Sequence, residues 1–78
     1  MPHILIKMYP GRTAKQKQRL AAEITECVAS IAKCEEKYVS VAVEEIAPEA
    51  WAEEVYRLDI LEKEETLVKK PGYNPFGQ

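Results

Sequence analysis

The chain lacks most of what holds small domains together apart from a core. Of its 78 residues two are cysteine and one is histidine. Cys27 and Cys34 fall seven positions apart in one helical pattern, which separates them by about 10 Å and rules out a bridge between them. With His3 as the lone histidine and no CxxC or HxxxH spacing, no metal site is expected. A surplus of positive charge is missing too: 11 Lys and Arg stand against 13 Asp and Glu, mixed along the sequence, so no basic stripe suits nucleic acid. Long apolar runs are absent and the start has no basic and apolar leader. The chain therefore reads as cytoplasmic, with no membrane partner. A chain this short buries a modest share of its surface. Without disulfides or metal, association with other chains is the expected stabiliser.

What is present reads as a single domain over residues 1–78. His3 to Met8 has the composition of a strand, with Ile4, Ile6 and Met8 on one face and His3, Leu5 and Lys7 on the other. Tyr9-Pro10-Gly11-Arg12 is a turn. Thr13 and Gln16 have capping-box spacing at the start of a helix whose apolar stripe is Leu20, Ile24, Cys27, Val28 and Ile31. After a charged connection at 33–37, residues 38–46 alternate again as a second strand. Strand, helix and strand make a βαβ unit with parallel strands. Two strands leave a sheet face and both edges open, so the expected fold is α/β, a single βαβ unit with short C-terminal helices, completed by homodimerisation into a larger sheet. Pro48 to Trp51 reads as a helical turn. A short helix is expected to break near Asp59, with a second running to Lys70, where Pro71-Gly72 stops it. Residues 71–78 are expected to be a C-terminal tail, of which 74–78 are too poor in apolar residues to be more than a tail or a partner-contacting arm.

Pro2 carries the unusual chemistry. Once Met1 is removed, its nitrogen becomes a secondary amine on a rigid ring, whereas Pro10, Pro48, Pro71 and Pro75 are amides without useful basicity. The structural alternative is a proline that merely favours N-terminal processing. An ordinary α-amino group, with a pKa near 8, is roughly one-tenth free base at neutral pH. Orientation should therefore contribute at least as much as a lowered pKa.

The start MPHI, the PGR after the first strand, the length of the βαβ unit, the PEAW turn and the LVKKPGY ending together resemble the tautomerase superfamily related to 4-oxalocrotonate tautomerase, and within it the PptA-type branch. The resemblance spans nearly the whole chain. Pro2 before a strand and the KKPGY ending are its specific parts. It implies a βαβ fold assembled as dimers or hexamers of dimers, with PptA-type members in the dimeric class. It also implies cofactor-independent keto–enol tautomerisation of a small 2-oxo acid, with Pro2 as the general base.

The resemblance assigns Arg12 to a substrate carboxylate or enolate oxygen, a role its planar fork suits; a solvated turn arginine is the other reading. Trp51 aligns with the aromatic that walls the family's pocket, against a core or interface tryptophan. Where the 4-oxalocrotonate branch carries a substrate-binding arginine on the second strand, this chain has Ser40, which favours an arylpyruvate-like monocarboxylate over a dicarboxylate. His3 reads as a structural strand residue, Lys7, Lys33 and Lys37 as solvated charge, Cys27 as a small core residue and Cys34 as a loop-proximal thiol, neither with an adjacent base that would make it a nucleophile. Two alternatives stand beside the tautomerase: a hydratase or dehalogenase using the protonated amine as general acid, and a dimeric interaction module without chemistry.

Overall fold

A computed structural model of the chain describes residues 1–77. Gln78, the last residue of the expected tail, lies outside the described residues. Two compact units are present, Met1–Glu45 and Ile46–Gln78, and each is built around its own elements.

The first unit is the βαβ motif. Strand β1 (His3–Met8) runs parallel to β2 (Ser40–Glu45), in register from His3 opposite Ser40 to Met8 opposite Glu45. Alternation along the strands sets Ile4, Ile6 and Met8 on the face shared with Val41 and Val43. His3, Leu5 and Lys7 share the other face with Ser40, Ala42 and Glu44. Helix α1 (Ala14–Ala32) connects the strands. Its first turn has no acidic residue, so the capping box secures it: the Gln16 backbone N–H donates to Thr13 Oγ1 at 3.0 Å and the Thr13 N–H donates to Gln16 Oε1 at 2.8 Å. At its far end Lys33 takes a left-handed conformation, φ 62°, and the Cys34 N–H closes on the Ala29 carbonyl at 3.1 Å.

Of the apolar stripe on α1, Leu20, Ile24 and Val28 are half-buried, whereas Cys27 is exposed and Ile31 is 81% exposed. A two-stranded sheet is too narrow to cover the whole stripe. The connection after α1 contains a 3₁₀ turn at Glu36–Tyr38, closed by the Tyr38 and Val39 N–H groups on the Glu35 and Glu36 carbonyls. Tyr38 is committed to that turn, and β2 begins at Ser40 rather than at residue 38.

The second unit starts with α2 (Pro48–Trp51), where Pro48 occupies the first turn and loses no hydrogen bond by lacking an N–H. The helix continues at wider pitch as a π-helical segment, Ala52–Leu61, ending where the Glu62 N–H reaches five residues back to the Arg57 carbonyl. The expected break at Asp59 does not occur: Asp59 sits inside the helix, paired at 3.9 Å with Lys63 one turn on. Nor does a second helix reach Lys70. Only a 3₁₀ turn at Glu64–Thr66 forms, and Leu67 is extended. The competing influence is burial of Tyr56. Leu67 and Pro71 border a cleft of about 110 Å³ with Tyr56 and Ile60, which a chain continuing as a helix would leave open. Val55 and Tyr56 are the two buried apolar residues among those described. The segment from Tyr73 onward returns to the helix: Tyr56 and Tyr73 meet edge to face at 5.3 Å, and the Arg57 guanidinium lies 4.6 Å from the centre of the Phe76 ring.

Candidate active site

Pro2 precedes β1 and is half-buried. Its carbonyl accepts a hydrogen bond from the Ser40 backbone N–H at 3.1 Å, the first rung of the parallel ladder. Met1, by contrast, is 97% exposed, so its removal would uncover the Pro2 nitrogen without dismantling packing. Pro2 is thus anchored to β2 through its carbonyl, and the residue joined to its nitrogen, Met1, is solvent-exposed.

Ser40, the first residue of β2, bonds to the chain's own start. Its Oγ lies 2.7 Å from Nδ1 of His3, its directly opposed partner in the register. Directly paired residues place their side chains on one face about 5 Å apart at Cβ, so this bond needs no distortion. The contact follows from the register, with β2 starting at Ser40 rather than at residue 38.

Arg12 is exposed and has no hydrogen-bond or ion-pair partner among the described residues. It follows Gly11, whose φ of 126° is a conformation that side chains rarely permit. Arg12 and Pro2 lie beyond opposite ends of β1, and a six-residue strand spans about 20 Å. Within one chain the two do not meet. Trp51, in the second unit, is half-buried and donates from Nε1 to the Tyr73 hydroxyl at 2.9 Å. The Tyr73 carbonyl in turn accepts from the Tyr56 hydroxyl at 2.9 Å. Tyr73 therefore links the exposed edge of Trp51 to the buried Tyr56, a tie that no helical or strand period marks in the sequence.

Charge near these elements is arranged in local pairs. Lys17 of α1 bonds Glu45 of β2 at 3.1 Å. Arg57 donates to Glu53 at 2.7 and 3.1 Å, and this hydrogen bonding holds the Glu53 carboxyl below its ordinary range. No helix among the described residues is long and apolar enough to cross a membrane.

A family model described as "Tautomerase enzyme" matches residues 2–58. The chain belongs to the tautomerase family. The matched stretch contains Pro2, Arg12, Ser40 and Trp51. The chain is 40% identical over 74 residues to tautomerase PptA of Cronobacter sakazakii, covering 94% of this chain and 97% of that protein. A probable tautomerase of Xylella fastidiosa is 38% identical over 73 residues, covering 94% and 89%. Among solved structures, the fold resembles TomN, a 4-oxalocrotonate tautomerase homologue of the tomaymycin biosynthetic pathway, with a TM-score of 0.62 and 28% identity over 64% of this chain and 77% of that one. These likenesses bear out the tautomerase resemblance and the βαβ fold with parallel strands. Family membership supports isomerase chemistry.

Proposed function

We propose that this tautomerase-family chain is a cofactor-independent, cytoplasmic isomerase that interconverts the keto and enol forms of a small 2-oxo acid. Pro2, freed of Met1, is the general base. One observation carries the reading: the residue whose nitrogen becomes basic on loss of Met1 is held by the first rung of the sheet, while the methionine that blocks it is solvent-exposed. The amine takes a proton from the enol oxygen or the α-carbon and returns it at the other position, and a fixed amine does so with less ordering left to achieve in the transition state.

Residues 1–78 act as one tautomerase-like domain in a homodimer. Exposed Leu5 on the open sheet face and exposed Ile31 on α1 are apolar surface that a second copy would cover. Pairing two β1 edges about a two-fold axis makes them antiparallel. That arrangement brings the Pro2 end of one strand toward the Arg12 end of the other, so that Arg12 of the second copy faces the substrate carboxylate. Trp51 walls the pocket, and Ser40, without a positive charge, favours an arylpyruvate-like monocarboxylate.

Ketonisation of phenylpyruvate by wild type and Pro2→Ala tests the proposal. Loss of at least a hundredfold in kcat/KM in Pro2→Ala is expected, and equal rates would sink the catalytic role. The dependence on pH separates base from acid: kcat/KM should rise as the amine loses its proton, whereas a hydratase or dehalogenase using protonated proline would show the reverse.

A further inference from the structure

We infer that His3 and Ser40 form a positioning pair that holds Pro2 in place; as a statement about catalysis this rests on Pro2 being the base. Ser40 engages the first two residues of the chain without Met1 by two separate groups. Its backbone N–H holds the Pro2 carbonyl at 3.1 Å and its hydroxyl holds the His3 imidazole at 2.7 Å. The need for such a device follows from where the base sits. A terminal residue has no preceding chain to restrain it, and strand ends fray. A base displaced by about 1 Å can lose a hundredfold in rate. The backbone rung alone fixes one atom group of Pro2, and that rung is the terminal one of a two-stranded ladder. The side-chain tie pins the next residue to the same point on β2, so opening the rung requires breaking both. The position that could have presented a charge to substrate instead secures the amine that acts on it.

The pair makes a testable distinction between clamping and mere folding. In protein freed of Met1, the Pro2 Cα order parameter from NMR relaxation should lie near the rigid value of about 0.85 and drop below about 0.6 in Ser40→Ala and in His3→Ala. Ser40→Thr, which keeps the hydroxyl, should restore it. On phenylpyruvate each alanine variant should lower kcat about tenfold with KM changed less than about twofold, and the double variant should be no worse than either single one, as expected of two residues acting through one bond. Unchanged Pro2 order in both alanine variants would overturn the clamp. So would additive losses in the double variant. A drop in order with kcat unchanged would overturn the positioning role in catalysis, whereas equal rates in Pro2→Ala would overturn Pro2 as the base.

Discussion

Trp51 and Tyr73 are joined side chain to side chain, the indole N–H donating to the phenol at 2.9 Å, across twenty-two positions of sequence. Through this bond the C-terminal segment reaches the tryptophan assigned to the pocket wall. Tyr73→Phe removes the acceptor and keeps the ring. It should cost about 1 kcal/mol, or about 5 °C in Tm for a domain of this size. Because Trp51 is the sole tryptophan, its fluorescence reports the change directly. An unaltered emission spectrum together with unaltered Tm would show the bond to be unimportant.

The ends of α1 make a second pair of expectations. Thr13→Ala deletes the capping hydroxyl that accepts from Gln16 and should destabilise by about 1 kcal/mol. Lys33→Gly relieves a side chain held at φ 62° and should stabilise by a similar amount, about 1 kcal/mol. Urea unfolding of the two variants measures both, with midpoints moving in opposite directions.

Glu53 gives the dependence on pH. Its carboxyl is held below its ordinary range by the hydrogen bond from Arg57. A depressed folded value means that the pair's contribution is present above the unfolded carboxylate pKa and lost as pH falls through the folded one. Both side chains are exposed, so the effect is small. Thermal melts of wild type and Glu53→Gln should therefore differ more at neutral pH than in acid, once pH has fallen through the depressed value of the folded carboxyl.

The opposite placement of Pro2 and Arg12 about β1 predicts complementation. Chains carrying Pro2→Ala and chains carrying Arg12→Ala should each be impaired alone. In a mixed dimer one site keeps both groups, so unfolding, mixing and refolding should recover roughly a quarter of wild-type activity. No recovery on mixing would argue against an arginine supplied by the partner.

How much of this was legible in the sequence divides by the range of the interactions. β1, the capping box at Thr13 and Gln16, and the parallel pairing follow from alternation, cap spacing and the handedness of crossovers, all local rules. The start of β2 was read two residues early because Tyr38 has strand composition, while its N–H is engaged in the turn closed on Glu35. The C-terminal third was read least well. Asp59 and Glu62 have capping spacing, yet the helix runs through Asp59 to Leu61, since burying Val55 and Tyr56 outweighs a marginal capping signal. The ties from Tyr73 to Trp51 and Tyr56 depend on a chain reversal that no periodicity records. In the candidate site, Pro2 stands out by the chemistry of its nitrogen, and the resemblance supplies its expected role. The His3 and Ser40 contact required the register, which composition does not supply.

Everything assigned to Pro2 depends on its nitrogen being an amine. Intact mass spectrometry of protein that turns over phenylpyruvate is the most direct measurement of that condition. The active species should be the chain lacking Met1 and beginning at Pro2, and full activity in protein that retains Met1 would contradict the account.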